Sequence, residues 1–171
     1  MATAITDVRQ IAYILATIKY ETASRYQPTT EFGSDEALER LYGGRKDLGN
    51  GMPGDGARYR GRGYILLTGK FNYQHMNEAL NLAGTDNDLV LSPEKALDPI
   101  IAYRILASGM KTGHFTGKKL SDFITDEKTD YFHARRTNGD AGPARRIADD
   151  AKTFESILRN TLASMENQKS Q

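Results

Sequence analysis

Apolar residues recur at three- and four-residue steps near the start of the chain, which is the spacing of one face of an α-helix. The members of this first apolar stripe are Val8, Ile11, Ile14, Leu15 and Ile18. The pattern predicts a helix from about Asp7 to Ala23, with Thr6 as its N-cap residue. Because Glu21 falls at the border of the stripe, this helix is predicted to end with a carboxylate beside its apolar face.

Capping residues predict two further helices in the first half of the chain. Ser34 is a favourable N-cap for a short helix that carries Leu38 and Leu41 and stops at Gly43-Gly44. A second helix is predicted from Asn72 to Leu82. Its inward-facing side chains are expected to be Tyr73, Met76 and Leu80.

In the second half of the chain, two pairs of a capping residue and a proline predict helix starts, namely Ser92-Pro93 and Asp98-Pro99. The second pair opens "PIIAYRILASGM", which is predicted to be the central core helix. "GHFTGKKLSDFI" predicts a loop and a short helix, and "TDYFHARRTNG" predicts a helix ending at Asn138-Gly139. The last helix is predicted to begin at Pro143, with residues 166–171 as a fraying tail. Its expected inner face consists of Ile147, Ala151, Phe154, Leu158 and Leu162.

Between Gly43 and Gly63 the composition shifts to Gly, Arg and Asp: "GGRKDLGNGMPGDGARYRGRG". This segment is predicted to be a long functional loop, with "GNGMPGDG" at the rim of a cleft. The apolar run "YILLTG" follows and predicts a short strand or buried segment. The fold class predicted from these patterns is mainly α, with a small β element near residues 57 to 68.

Length and composition indicate a soluble globular domain that covers residues 1–171. The chain is 39% apolar and 26% charged, and its net charge of +1 gives no general attraction to nucleic acid or membranes. The absence of cysteine excludes disulfides and thiolate metal sites. No apolar run approaches the ~18 residues that cross a bilayer. The start "MATAITDVRQ" lacks the features of a signal peptide, and an upstream segment trimmed from the chain would leave the same start.

Two carboxylates, Glu21 and Glu31, suggest a catalytic pair. Glu21 is predicted to be partly buried in the last turn of a helix, where the helix dipole also disfavours negative charge. Both effects favour the neutral acid that a general acid must be. Glu31 lies one loop later in polar surroundings, and glycoside hydrolysis uses such a pair of carboxyl groups in different environments. The simpler interpretation is that Glu21 is a solvated helix-end residue.

The segment "ARYRGRGYILLTGKFNY" alternates arginine with glycine and tyrosine. Aromatic rings stack on sugar C–H faces while Arg, Asn and Thr bond hydroxyls and amides, so the segment is suited to line a sugar-binding groove. An Arg-Gly-aromatic tract also occurs in proteins that bind single-stranded nucleic acid, but only one short copy is present here. A third interpretation is a Gly-rich turn with solvated arginines.

The motifs "ATIKYETA" and "YRGRGYILLTGKFNY" together resemble glycoside hydrolase family 19, closest to its lysozyme-like bacteriophage endolysins and related bacterial chitinase-like proteins. Weaker matches follow in order: "LVLSPEKALDP", "GMKTGHFTGKKLSDF", "ARRTNGD" and "RRIADDAKTF". The resemblance implies a lysozyme-like two-lobed fold with a central cleft. It also implies metal-free hydrolysis of β-1,4-linked N-acetylated glycans with inversion at the anomeric carbon.

The resemblance assigns three catalytic residues. Glu21 matches the general acid, Glu31 the second acidic position that activates the attacking water, and Thr68 a Ser/Thr that helps hold this water. Loop lengths vary within the family, so Glu36 and Glu39 are alternatives for the base.

Substrate-binding positions are assigned in the same way. Asn72, in the "NY" of the second motif, matches a substrate-binding Asn, and Asn138 resembles another sugar-contacting Asn. The other predicted substrate-binding residues are Tyr20, Arg62, Tyr64 and Tyr73. Two positions depart from the family pattern: Tyr20 stands where His is usual before the acid, and Leu66 where Gln is usual. The first departure alters the hydrogen bonding expected around Glu21, and the second removes an expected polar contact with substrate.

The function predicted from the sequence is that of a phage endolysin that hydrolyses the glycan of bacterial peptidoglycan as a muramidase. A chitinase of the same fold and a catalytically inactive glycan-binding module are the alternatives. The expected partners are peptidoglycan strands or chitin oligomers, with no nucleic acid, no stable membrane insertion and a monomeric chain. Synthesis in the host cytoplasm and release through a holin-type pore are expected. No cofactor or metal is expected, because His75, His114 and His133 are scattered and no zinc-ligand spacing occurs.

Overall fold

The computed structural model describes residues 5–139 and 142–169, and this part of the chain is mainly helical with a small two-stranded sheet. The predicted mainly α class with a small β element is therefore confirmed. The α-helices described are α1 (Val8–Glu21), α2 (Asp35–Tyr42), α3 (Asp55–Arg58), α4 (Lys70–Ala79), α5 (Pro99–Thr112) and α6 (Ala144–Lys169). The strands are β1 (Thr29–Thr30) and β2 (Arg62–Gly63), and short 3-10 helices cover Lys46–Leu48, Pro93–Leu97, Leu120–Asp122 and His133–Thr137.

The described chain divides into two compact units. One unit is Glu21–Ser108, which contains both strands and α2 to α4. The other consists of residues 5–20, 109–139 and 142–169. No helix in the described part of the chain has the length and apolar character needed to cross a membrane.

Helix α1 begins one residue later than predicted. The N-cap is Asp7 and not Thr6, because Asp7 Oδ1 accepts the backbone N–H of Arg9 at 2.8 Å. The helix stops at Glu21 because Ala23 and Ser24 both adopt left-handed backbone conformations, with φ of 47° and 63°. Its buried positions are Ala12, Tyr13, Ile14, Ala16, Thr17 and Ile18.

In the unit without the sheet, α1 and α6 supply much of the buried surface. The Tyr13 ring stacks on that of Tyr131, with centroids 6.0 Å apart. Ile147 and Ala151 of α6 are buried as predicted, but Leu162 is exposed, so the predicted inner face holds only for the first turns of the helix. The helix continues to Lys169 and thus through most of the tail that was expected to fray.

The predicted helix after "TDYF" is only the 3-10 helix His133–Thr137. It is held at its start by Asp130, whose Oδ1 accepts the backbone N–H of His133 at 3.1 Å. A segment of this length forms little more than one turn, since 3-10 geometry is poor over longer runs. Asn138 is its C-cap residue, as the sequence predicted.

In the Glu21–Ser108 unit, the predicted ends of α2 and the predicted start of α5 are confirmed, whereas α4 lies two to three residues earlier than the predicted Asn72–Leu82 and Ser92-Pro93 opens only a 3-10 helix. Ser34 Oγ accepts the backbone N–H of Ala37 at 3.2 Å, and Gly43 is the C-cap residue of α2. Asp98 Oδ1 accepts the N–H groups of Ile100 and Ile101 at the start of α5. The predicted inward side chains of α4 and its C-terminus are buried: Tyr73, Met76 and Leu80.

The segment from Gly43 to Gly63 is more ordered than the predicted loop, because it contains a 3-10 turn, α3 and β2. The buried Asn50 side chain donates to the Tyr42 carbonyl at 3.0 Å and accepts the Lys70 N–H at 3.0 Å. Asn50 thereby ties the end of α2 to the start of α4.

The run "YILLTG" is mostly a tight turn and not a strand. Arg62 and Leu67 exchange two backbone hydrogen bonds, of 3.2 and 2.8 Å, so residues 63 to 66 close a short hairpin. Leu66 in this hairpin has a φ of 52°, in the left-handed region that non-glycine residues seldom adopt.

Candidate functional site

Glu31 is positioned by the register of the two-stranded sheet. Thr29 pairs with Gly63 and Thr30 with Arg62, and the next step places Glu31 opposite Gly61, where the Glu31 N–H donates to the Gly61 carbonyl at 2.8 Å. Side chains of opposed residues lie on the same face of an antiparallel pair. Because Gly61 has no side chain, the Glu31 carboxylate folds over it, and the Gly61 N–H donates to Oε2 at 3.0 Å.

The other oxygen of Glu31 is held by Tyr42. The phenolic O–H of Tyr42 donates to Glu31 Oε1 at 2.6 Å, so both oxygens of this half-buried carboxylate accept a hydrogen bond. The hydrogen bond to Glu31, together with burial and the negative charge of Glu31, raises the pKa of Tyr42 to about 12. Tyr42 therefore remains a neutral donor at physiological pH.

Thr68 completes a small notch above Gly61. A Cβ atom added at Gly61 would lie 3.0 Å from Glu31 Oε2 and 3.1 Å from Thr68 Oγ1. The Thr68 hydroxyl donates its proton to the Leu66 carbonyl at 2.7 Å, which leaves its lone pairs free to accept. The Glu31 carboxylate oxygen and the Thr68 hydroxyl oxygen thus lie close together over Gly61, and each has the capacity to accept a hydrogen bond.

Asn72 is joined to this site through the backbone. Its side-chain N–H donates to the Thr68 carbonyl at 2.7 Å, and the residue is exposed in the first turn of α4. The structure therefore brings together Glu31, Thr68 and Asn72, which the sequence had assigned to one site.

Of the predicted substrate-binding residues Arg62, Tyr64 and Tyr73, the two tyrosines are buried and do not line a groove. Tyr73 is 0% exposed, so its ring cannot stack on a sugar; its O–H donates to the Arg60 carbonyl at 2.8 Å and accepts from Arg62 Nη1. Tyr64 is also buried, and burial raises the pKa of both tyrosines. Tyr73 thus supports the backbone and Arg62 from the interior.

Glu21 is the last residue of α1 and is exposed, so the predicted partial burial of its side chain is wrong. The left-handed residues that end α1 immediately afterwards leave the side chain at the helix end, outside the buried face. Glu21 does lie in the last turn of α1, as predicted, where the helix dipole disfavours negative charge.

Tyr20 and Asn138 belong to the other compact unit. The ring of the half-buried Tyr20 lies under the Arg146 guanidinium, 5.8 Å from the centroid. The side-chain Oδ1 of Asn138 is buried and has no hydrogen-bond partner among the described residues.

The two alternative bases are occupied elsewhere. Glu39 accepts the backbone N–H groups of Gly54 and Ala57, at 3.0 and 3.1 Å, and so holds the start of α3. Hydrogen bonds from its own backbone N–H and from Ser34 lower the pKa of Glu36, which is exposed at the start of α2. Glu31 is the acidic residue of this segment that lies beside Thr68.

A separate surface pocket of about 600 Å³ lies in the same unit, and neither Glu31 nor Thr68 lines it. Arg60 and Arg62 do, whereas Gly61 between them faces Glu31. The pocket is lined by Asp35, Glu36, Glu39, Gly54, Ala57, Arg58, Arg60, Arg62, Leu91, Pro93 and Glu94.

Sequence reasoning missed two residues of the site. No local sequence pattern marks Tyr42 as a site residue, because its contact with Glu31 depends on how α2 packs beside the sheet. Gly61 was not assigned to the site; its φ is not in the left-handed region, and what matters is that it has no side chain beside Glu31 and Thr68.

In the described part of the chain, no three His, Asp or Glu side chains form a group that could hold a metal ion. No protein-family model matches this chain. The resemblance to glycoside hydrolase family 19 therefore rests on the quoted motifs.

Proposed function

We propose that the protein is a glycoside hydrolase of the phage endolysin type, which cleaves the β-1,4 bond between N-acetylmuramic acid and N-acetylglucosamine in peptidoglycan. The observation that supports it best is the Glu31 carboxylate, held by Tyr42 and the Gly61 N–H beside an accepting Thr68 oxygen. Such an arrangement suits a general base that acts on water.

In the proposed reaction, a water molecule donates one hydrogen bond to Glu31 and one to Thr68, which directs a lone pair away from both. Glu31 removes a proton as the water oxygen attacks the anomeric carbon. Glu21 gives its proton to the glycosidic oxygen as that bond breaks on the opposite face of the ring. The product has inverted configuration, and an inverting pair of carboxyl groups requires a separation of roughly 6.5–9.5 Å.

A lysozyme-like two-lobed fold is part of the same proposal. The division of the described chain into two compact units supports it, as does the mainly helical structure with a small sheet. The proposed site of action is the wall of the host bacterium, reached after synthesis in the host cytoplasm.

Digestion of purified peptidoglycan and of chitin oligomers, followed by mass spectrometry of the products, tests the proposal. We expect muropeptides with new muramic-acid reducing ends from the wild type. Glu21→Gln and Glu31→Gln should lower kcat by about 10²–10⁴-fold, which is the usual contribution of a general acid or base. Glu78→Gln is the matched control and should retain activity, because Glu78 is exposed on α4 and lines neither the notch nor the pocket.

Cleavage of chitin alone would identify the protein as a chitinase that uses the same catalytic residues. Absence of cleavage of both polymers would contradict the proposed activity.

A further inference from the structure

The 600 Å³ pocket carries charges of both signs, and some of them are already satisfied within the protein. Arg60 forms an ion pair with Asp35 and also donates to the carbonyls of Ala57 and Gly33. Glu39 is bonded to the N–H groups of Gly54 and Ala57. These groups form the wall of the pocket and have little capacity left for a ligand.

Two arginines of the pocket keep donors to spare. Arg62 donates only through Nη1, to the carbonyls of Arg58 and Arg60 and to the Tyr73 hydroxyl. Arg58 donates only through Nη2, to the carbonyls of Val90 and Leu91. The Nε atoms and the second terminal nitrogens of both side chains have no hydrogen-bond partner among the described residues. In Arg62 the free nitrogens, Nε and Nη2, form one edge of the guanidinium, which binds a carboxylate with two parallel hydrogen bonds, whereas the free Nε and Nη1 of Arg58 point in different directions and act as single donors.

Glu94 supplies the opposite charge. It is exposed at the pocket and has neither a hydrogen-bond nor an ion-pair partner in the described part of the chain. Leu91, which is 69% exposed, adds apolar surface to the pocket, and the lining also includes the largely buried Pro93. The groups of the pocket that keep capacity for a ligand are therefore two cationic side chains, the carboxylates of Glu94 and of the exposed Glu36, and a short apolar surface.

We propose that this pocket binds a zwitterionic peptide, with a ligand carboxylate at Arg58 and Arg62 and a ligand ammonium group at Glu94. The inference rests on the proposed function, since the peptides attached to muramic acid carry carboxylates, an amine and small apolar side chains. Chitin carries none of these groups on its N-acetylated sugars. The pocket thus selects peptide-bearing wall glycan over chitin.

The location of the pocket suits a substituent of the glycan. The pocket and the notch share the segment of residues 60–62, since Arg60 and Arg62 line the pocket and Gly61 contacts Glu31. An extended peptide of four residues spans about 13 Å. The pocket therefore begins one residue along the chain from the proposed reaction site, and a peptide carried by the glycan has the length to extend into it.

Titration of the full chain with a soluble peptide tests the proposal, with binding followed by backbone amide shifts in NMR. The probe is N-acetyl-L-alanyl-γ-D-glutamyl-diaminopimelyl-D-alanine, and the control ligand is the same peptide with its free amine acetylated. We expect shifts at residues 58, 62 and 94, and about twofold to fivefold tighter binding of the free-amine peptide, as for an exposed ion pair.

Glu94→Gln should abolish the difference between the two peptides, because it removes the charge and keeps the shape. Glu78→Gln is the matched control: Glu78 is exposed on α4 in the same unit and does not line the pocket, so the difference should persist. Shifts confined to other surfaces, or an unchanged ratio of affinities in Glu94→Gln, would overturn the proposal.

The binding measurement is independent of hydrolysis. If the wild type cleaves no polymer but the free-amine peptide binds at the pocket as described, the activity fails and the peptide site stands. If peptidoglycan is cleaved and neither peptide shifts the pocket residues, the peptide site fails and the activity stands.

Discussion

At the scale of single residues, the site depends on how Glu31 is held. One carboxylate oxygen accepts a hydrogen bond from a tyrosine hydroxyl and the other accepts one from a backbone N–H, so the two bonds together fix the orientation of the carboxylate. The tyrosine donor, Tyr42, lies outside the quoted motifs, whereas the backbone donor, Gly61, lies within "YRGRGYILLTGKFNY". The notch beside Glu31 exists because residue 61 has no side chain.

Replacing Tyr42 with Phe should lower kcat by about tenfold or more, because a hydrogen bond to a charged group contributes about 1.5–3 kcal/mol. KM should change little, since the O–H of Tyr42 contacts Glu31 and not the substrate in the proposed reaction. Steady-state kinetics on a soluble muropeptide substrate measures both. Tyr26→Phe, in the same unit, is the control, as the exposed Tyr26 contributes its backbone carbonyl but no hydroxyl hydrogen bond. Equal kinetics for the two variants would remove Tyr42 from the site.

Gly61→Ala should abolish most of the activity while the protein stays folded. The new methyl group would lie 3.0 Å from Glu31 Oε2, 3.0 Å from Leu66 Cβ and 3.1 Å from Thr68 Oγ1, which fills the notch proposed for water. Overpacking of this kind costs typically about 1–3 kcal/mol of stability. Urea unfolding and kcat measured on the same preparation separate the two effects. A variant with wild-type kcat would show that the notch holds no reacting water.

At the scale of elements, local signals located α1, α2, α4, α5 and α6, but neither α3 nor strand β1. Ser34 and Asp98 predicted where α2 and α5 begin, because capping is a contact over two or three residues. Strand β1 was not predicted, since two polar residues, Thr29 and Thr30, have no period to detect and their partners in β2 lie some thirty residues away. The turn at "YIL" was missed because a left-handed Leu66 contradicts the ordinary preference of leucine.

The same limit applies to the candidate site. The positions of Glu31, Thr68 and Asn72 near one another followed from the resemblance, and the structure brings them together. The contact of Tyr42 with Glu31 and the burial of Tyr73 depend on packing between elements, which no local pattern encodes.

Asn50→Ala should destabilise the protein by about 1–3 kcal/mol, because it leaves the Tyr42 carbonyl and the Lys70 N–H without their buried partner. Since Asn50 ties the end of α2 in place, we also expect a fall in kcat through Tyr42. Denaturant unfolding, with Asn87→Ala on the exposed surface as control, measures the first effect. Equal midpoints for the two variants would mean that the 43–63 segment is held by other contacts.

At the scale of the whole molecule, the tyrosines link stability to pH. Burial raises the pKa of Tyr64, Tyr73 and Tyr131, and the hydrogen bond to Glu31 raises that of Tyr42 to about 12. The folded protein therefore holds these protons more tightly than the unfolded chain, whose tyrosines titrate near pH 10.

It follows that their contribution to the free energy of unfolding is complete below pH 10 and is lost as pH rises from 10 towards 12. Urea unfolding at pH 8 and pH 11, with tyrosinate absorbance at 295 nm, measures the loss. Tyr42→Phe should lose less stability over this interval than the wild type. Unchanged stability between the two pH values would contradict the burial of these hydroxyl groups.

The most direct test of the central claim, that Glu31 is the general base acting in the notch above Gly61, is chemical rescue of Glu31→Ala by azide. Removing the carboxylate should lower kcat by about 10²–10⁴-fold. Azide needs no deprotonation and fits the space left by the side chain, so it should restore turnover and give an α-glycosyl azide, identified by NMR of the anomeric proton. Retention of full activity by Glu31→Ala without azide, or a rescued product of β configuration, would contradict the assignment.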